Sequence, residues 1–384
     1  MTVRFMSGAS SRSELTLPRF TDPPRVTVVT YAPSPYQVEL LNEVSTQLGG
    51  RLNAVYLYQR DIDRHWSPSP VKHANISLDD CTARFRSASE MVRGADLLVA
   101  NFYRHTLAAK LIELRVQTGK PWCFWGERPG YTRWAYLGHW YRRVTLAALH
   151  RSRAAIWGIG DWAVDRYRAE FGPARAYFNV PYFSDLRRFT VAAAKRATPD
   201  APRRFLFSGS LIPRKGVDLV ATAFLRLATE FPQITLTILG TGELERTLKQ
   251  QLAPYSERVR FVGFQPWETL PQFYADADVV VVPSRHDGWA LVVPEGLASS
   301  APVIGSTRMG AALELIRAGE NGWLVKPGNL ASLLAALRQA AALSPVELVR
   351  MSAAARASVE GHMLADGARR FTEAVRGSID SFYD

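Results

Sequence analysis

Residues 278–303, DVVVVPSRHDGWALVVPEGLASSAPV, constrain the fold more than any other stretch of the chain. Four consecutive valines closing on Pro283-Ser284 read as a strand buried on both faces, which belongs inside a parallel sheet. Gly288 marks a turn and Pro294 opens a short helix. Strand, polar loop and helix in that order put loop amides and a helix N-terminus at the carboxyl edge of a sheet, where open α/β sheets bind ligands. Asp287 and Glu295 bracket the loop, so both can face one crevice. Taken singly, Asp287 beside Gly288 is also ordinary turn chemistry, and Glu295 a favourable charge at a positive helix end.

The same alternation recurs on both sides of this stretch. Strands are predicted at 25–32, 53–58, 96–100, 121–125 and 154–157, with helical spacing at 37–48, 106–118 and 162–171. A second series follows, with strands at 205–208, 235–239, 259–262, 278–282, 302–305 and 322–325. Helices are expected there at 217–230, 243–252, 270–275 and 331–342. Such alternation implies α/β architecture, with parallel sheets covered by helices on both faces. The 384 residues suit two domains of about 150–200 residues each. Residues 1–22 are expected to be a flexible leader, 23–195 a first domain and 203–363 a second. Residues 364–384 form a final amphipathic helix packing back toward the first. The helix-breaking stretch 185–203 reads as the linker, and a bilobal molecule puts its site in the cleft.

Composition narrows the partners. The net charge of +12 is concentrated in residues 1–200, where 28 basic residues face 17 acidic ones, against 19 and 18 in the remainder. The arginines are scattered and form no nucleic-acid motif, so no nucleic acid is expected, and a phosphate-bearing acceptor or an anionic membrane surface suits them better. Cys81 and Cys123 fit neither a disulfide framework nor a zinc site and point to a reducing compartment. No stretch reaches the length of a membrane span. A cytoplasmic protein, peripheral at the inner membrane face, is the expected location. Trp134, Tyr136, Trp140 and Tyr141 beside Arg133, Arg142 and Arg143 would suit an amphipathic acceptor or a lipid surface, or else a core helix with snorkelling arginines.

In the second half, FSGSLIPRKG (207–216) runs from a strand into a small-residue loop. Gly209 admits a close ligand and Lys215 adds a compact positive charge, which reads as a diphosphate cradle or as a tight turn with a solvated lysine. It lacks the spacing of a P-loop. LGTGE (239–243) also follows a strand, yet Glu245 occupies the third glycine position of a dinucleotide fingerprint, so a plain turn beside the ligand is expected. Two DxD patterns, Asp61-Ile-Asp63 and Asp276-Ala-Asp278, raise metal binding; the second sits at a helix-to-strand junction, where one carboxylate can simply cap.

GSLIPRKGVDLVATAF, ILGTGELE, VRFVGF, the 278–303 stretch and GENGWLVKPGN, in this order, resemble the nucleotide-binding domain of family-four retaining glycosyltransferases of the GT-B fold, glycosyl transferases group 1. The likeness covers 204–342; PSPYQVELLNEV, RDIDRHW and IWGIGDWAVDRYRAEFG carry it more loosely into the first half. It implies two Rossmann-like domains facing a cleft and an enzyme, a hexosyltransferase acting with retention. The implied reaction moves a sugar from a nucleotide-diphosphate donor to a glycan or lipid-linked acceptor in envelope or polysaccharide synthesis, with no cofactor and no metal. A GT-B epimerase or phosphorylase, or a nucleotide-sugar-binding protein without turnover, is the alternative. By the same resemblance Asp287 faces the sugar, Gly288, Trp289, Ala290 and Leu291 offer amides to sugar or phosphate, and Glu295 accepts from ribose. Lys215 neutralises the leaving diphosphate and Phe264 lies beside the base. The chain departs from the pattern in having Asp287 for glutamate, Trp289-Ala290 for Phe-Gly, and Ser210 where an arginine is usual, so Arg214 or an arginine of the first domain is expected to stand in. Glu127, at the end of a first-domain strand, is expected either on the acceptor side as a base or sugar contact, ahead of His105, or as a satisfied structural carboxylate.

Overall fold

The computed structural model describes residues 22–60, 69–79, 81–129, 135–193 and 203–384. Residues 1–21 of the expected leader, Asp61 and Asp63, most of RDIDRHW, Arg133 and Trp134 lie outside them, as do the side chain of Tyr136 and the TPDAP segment before Arg203. The strands fall into two wholly parallel sheets. The first contains β1 (Val26–Thr30), β2 (Leu52–Tyr56), β3 (Ala74–Ser77), β4 (Leu97–Ala100), β5 (Trp122–Gly126), β6 (Ala155–Gly158) and β7 (Tyr177–Asn179), in the order β3-β2-β1-β4-β5-β6-β7. The second contains β8 (Arg204–Ser208), β9 (Thr235–Leu239), β10 (Val259–Gly263), β11 (Val279–Val282), β12 (Val303–Ser306) and β13 (Gly322–Val325), in the order β10-β9-β8-β11-β12-β13. Each order reverses once, between β1 and β4 and between β8 and β11. Those reversals open the crevices at the carboxyl edges where doubly wound sheets take ligands.

Continuous apolar runs make these central strands, because both faces of a parallel sheet are covered. Val279–Val282 is buried along its whole length, as is Leu97–Ala100. The polar edge strand β3 and the three-residue β7 carry too little apolar pattern to be anticipated. The stretch 185–203 differs from the loop expected of it. It contains the helix Arg187–Ala193, whose buried Phe189 meets Tyr274 of the second domain edge to face at 5.2 Å.

The final helix Leu364–Tyr383 returns to the first sheet and packs on the helix Pro35–Gln47. Phe371 stands edge-on to Trp125 and Trp157, and the Trp157 indole donates to Ser378 Oγ at 2.9 Å. One apolar cluster therefore runs from the inner face of the first sheet to the inner face of the second. Polar ties reinforce the junction. Glu314 accepts from the Asp161 amide and from Asn179 Nδ2, and Glu39 pairs with Arg188, whose guanidinium lies 3.3 Å from the centre of the Trp267 ring.

Candidate functional site

Three adjoining cavities line the cleft. One, of about 590 Å³, lies between the loops that follow β8, β9 and β10 and is bordered by Gly209, Ser210, Arg214, Lys215 and Phe264. The loops approach closely because a Cβ on Gly240 would overlap the Gly209 carbonyl, while Leu211 N donates to Thr241 O at 2.9 Å. The glycines of LGTGE are thus spent on loop-to-loop packing. A Cβ on Gly209 would meet only the Phe207 ring, at 3.9 Å, so the space beside its Cα is open where the loop borders the cavity. Phe264, 41% exposed, follows Gly263, whose φ of 78° turns the chain at the cavity rim.

The second cavity, about 480 Å³, joins both domains and brings together Lys215, Arg214, Asp287, Trp289, Glu295 and Glu127. Lys215 Nζ forms an ion pair with Asp287 Oδ2, and Arg214 Nη1 lies 3.8 Å from the same oxygen while donating to the His286 carbonyl at 3.1 Å. Loop residues 213–215 form a 3-10 turn ending at left-handed Gly216, where a Cβ would strike the Pro283 carbonyl 2.5 Å away. That close approach seats the Lys215 loop on the end of β11. The following helix, Val217–Glu230, carries Asp218 in its first turn, paired with Arg285 at 2.7 Å. Of the expected diphosphate cradle, the loop brings Arg214 and Lys215 to the cavity, while the first turn of the following helix already holds a carboxylate.

Asp287 is positioned by its amide, which donates to Arg308 O at 3.0 Å, and the loop continues against 309–311 through Ala311 N to Trp289 O at 2.9 Å. Trp289 is fully buried and stacks on His362 at 5.6 Å, so its side chain anchors the loop while the 288–291 backbone borders the cavity. Ala290 adopts φ of 75°, a left-handed conformation disfavoured for any residue with a Cβ. Glu295 sits in the helix Val292–Ala298, nearly buried, and accepts from the Tyr274 hydroxyl at 3.1 Å. Burial pushes its carboxyl up to about 7, with the Tyr274 hydroxyl acting in the opposite direction.

Glu127 enters from the first domain, just beyond β5. A Cβ on Gly288 would overlap its carboxylate, which shows how closely the two walls meet. Its carbonyl accepts from Tyr167 OH at 2.6 Å. Glu127 and His286 also border the third cavity, about 550 Å³, in the first-domain wall with Asn101, Tyr103, Arg104 and Arg128. Burial pulls the His286 imidazole below its ordinary range. His105 is occupied elsewhere, capping the helix Thr106–Gln117 and bonding to Tyr58 OH at 2.9 Å.

Every predicted site residue thus borders the cleft, divided between two walls. Sequence reasoning missed Tyr274, whose PQFYADAD context reads as a core helix, and Trp267 and Arg104, which follow strand ends without a motif. Among the described residues no group of three or more His, Cys, Asp or Glu could hold a metal ion. Asp278 of the second DxD pattern instead bonds the Arg204 amide at 2.8 Å and its guanidinium at 3.0 Å, tying β8 to β11.

The model for glycosyl transferases group 1 matches residues 189–358. A GDP-mannose-dependent monoacylated alpha-(1-6)-phosphatidylinositol monomannoside mannosyltransferase of Corynebacterium glutamicum is 29% identical over 217 residues, 53% of this chain and 56% of that protein. The amylovoran biosynthesis glycosyltransferase AmsK of Erwinia amylovora is 31% identical over 167 residues, 41% of this chain and 40% of its own. The chain spans about half the length of the curated relatives it matches. Among solved structures, Anabaena HepE with UDP and glucose superposes with a TM-score of 0.70 at 16% identity, covering 92% of this chain and 99% of that one. Sucrose-phosphate synthase of Thermosynechococcus elongatus gives 0.71 at 19%, covering 92% and 98%. Likeness at these identities establishes the architecture, two Rossmann-like domains of the GT-B type.

Proposed function

We propose that the chain, whose residues 189–358 match the model for glycosyl transferases group 1, is a retaining glycosyltransferase of that family. It moves a hexose from a nucleoside-diphosphate sugar to a glycan or lipid-linked acceptor in cell-envelope or polysaccharide synthesis. The observation that carries this reading is the meeting of Lys215, Arg214, Asp287 and Glu295 at the β8/β11 reversal, directly opposite Glu127.

In the reaction, the bond between sugar C1 and the diphosphate oxygen breaks and its electron pair stays on that oxygen. Lys215 and Arg214 offset the charge that develops there, which stabilises the transition state more than the ground state. Asp287 holds Lys215 ready and faces the sugar hydroxyls once the diphosphate draws the ammonium away. Glu295 accepts from the ribose hydroxyls, and the base lies beside Phe264. The acceptor oxygen forms the new bond to C1 on the face the diphosphate leaves, and Glu127 is placed to take its proton. No metal is assigned a part.

The relatives support the acceptor class by what they are called: one acts on a phosphatidylinositol mannoside and another in amylovoran biosynthesis. Among the described residues no single helix is long and apolar enough to cross a membrane. The helix Ala135–Thr145 does expose Trp140, Tyr141 and Val144, suited to peripheral contact with an anionic inner leaflet. Arg142 is held by Glu170 at 2.8 Å, so among the described residues of this helix Arg143 is the cation left for that surface.

The reading is tested by screening nucleotide sugars for thermal stabilisation and then following the best donor by mass spectrometry with an acceptor panel. Transfer of one hexose with release of nucleoside diphosphate is expected. Tight donor binding without transfer or slow donor hydrolysis would reduce the protein to a binding module.

A further inference from the structure

Resting on the transferase reading, we propose that the acceptor is anionic. It carries a phosphate or carboxylate that Arg104 binds in the first-domain cavity while its reacting hydroxyl lies at Glu127.

The cavity that opens onto the donor site at Glu127 and His286 is lined by three arginines and a single carboxylate, Glu127 itself. Arg142 is neutralised by Glu170, a pair almost wholly withdrawn from solvent. Arg128 follows Glu127 in the chain and lies with its guanidinium 4.1 Å from the centre of the Trp162 ring. Arg104 stands on the loop after β4, at the reversal of the first sheet. Among the described residues no carboxylate pairs with it. It is held by rings instead: Nε reaches the Tyr103 hydroxyl at 3.4 Å, and its guanidinium carbon lies 5.7 Å from the Tyr103 ring centre and 5.9 Å from that of Tyr141. Aromatic support orients a guanidinium without neutralising it and keeps its planar fork of donors for an oxyanion.

The donor does not require this charge, because its diphosphate has Lys215 and Arg214 on the opposite wall. The floor of the first-domain cavity is uncharged, with Gln37 Nε2 donating to Asn101 Oδ1 at 2.8 Å and Asn101 Nδ2 to Trp125 O at 3.1 Å. Rings suited to sugar faces, a neutral polar floor and a cation without a carboxylate describe a site for a charged saccharide. The excess of basic residues in residues 1–200 agrees with this, since an electropositive wall draws such an acceptor into the cleft.

Three probes decide it: glucose 1-phosphate, methyl glucuronide and uncharged methyl glucoside, each titrated by calorimetry with the preferred nucleoside diphosphate saturating the donor site. The first two should bind wild-type protein at least about tenfold more tightly than the third, the size of one charge-assisted hydrogen bond. Preference for glucose 1-phosphate or for methyl glucuronide identifies which oxyanion the site takes. Arg104→Gln should weaken the anionic probes by about ten- to hundredfold and leave methyl glucoside unchanged. Arg104→Lys should fall between, because it keeps the charge and loses the fork. Donor hydrolysis and nucleoside diphosphate affinity should be unaltered in both variants. Equal binding of all three probes, or an Arg104→Gln variant that binds them like wild type, overturns the proposal. So does an Arg104→Gln variant that loses nucleoside diphosphate instead, since the arginine would then serve the donor. A wild-type protein that binds no nucleotide sugar at all refutes the transferase reading beneath it.

Discussion

The two walls of the cleft are built by opposite means. On the second-domain wall, the polar groups engage one another in advance: Lys215 with Asp287, Tyr274 with Glu295, and the Asp287 amide with Arg308. Lys215 and Asp287 lie on loops that follow strands, Tyr274 and Glu295 on short helices, and Tyr274, Trp289 and Val293 belong to the apolar cluster shared with the first domain. On the first-domain wall, Arg104 and Arg128 are held by aromatic faces, and Glu127 meets its opposite number across the gap. Its inner apolar face is completed by a helix from the far end of the chain. A preorganised wall suits a ligand part that never varies, such as a nucleoside diphosphate; a wall of rings and cations adapts to a particular acceptor by changing a few side chains.

Four variants sharpen or break that contrast. The largest effect is expected from Phe371→Ala, which empties the space between Trp125 and Trp157. It should lower stability by about 3–5 kcal/mol in denaturant unfolding, with the first domain losing structure before nucleotide binding disappears. Simultaneous loss of both would mean that the two walls share one cooperative unit. Lys215→Ala should then lower kcat by about 10²–10³-fold; an unchanged rate would remove the diphosphate role from that loop.

Glu295→Gln is expected to weaken donor binding by about tenfold at pH 8, the loss of one hydrogen bond to a charged acceptor. It also carries a pH signature. The buried carboxyl has its folded-state value raised from 4.5 to about 7. It therefore favours the folded state most below 4.5, and that contribution is lost as the pH rises to about 7. The ionised form is the better acceptor for ribose hydroxyls, so nucleotide affinity should climb through the same upper limit. Thermal unfolding and nucleotide titration from pH 5 to 8 should show both trends in wild type and both weakened in Glu295→Gln, where Glu39 and Glu314, also raised by burial, still contribute to the first. The smallest effect belongs to Ala290→Gly, which relieves a left-handed alanine and should add about 1 kcal/mol or less of stability with turnover nearly unchanged. A destabilised variant would mean that the methyl group packs usefully against the buried Trp289 loop.

The second-domain wall was the more legible of the two because its information is local. Val279 to Val282, the turn at Gly288 and Glu295 in the next helix lie within one short stretch, and periodicity with turn chemistry reads such stretches well. Tyr274 escaped notice because an aromatic residue at helical spacing looks like core, and it is core; only its hydroxyl reaches Glu295. The helix Arg187–Ala193 was read as linker because its stability comes from partners distant in sequence, Tyr274 for Phe189 and Glu39 for Arg188. For the acceptor side, Glu127 was visible as a charge after a buried strand. The selection of Arg104 from many arginines depends on Tyr103 and Tyr141, which no spacing rule connects.

The returning helix Leu364–Tyr383 has a further consequence, for the order in which the protein is made. Trp157 leaves the ribosome 221 residues ahead of the Ser378 that accepts from its indole. During that interval the inner face of the first sheet is covered only in part, by the helix Pro35–Gln47, and the rest is an apolar surface open to association with other nascent chains. The second domain has its whole sheet before the last helix appears. The second sheet is therefore complete before the first is fully covered, and any chain released before that helix would present a sticky first sheet beside a formed second one.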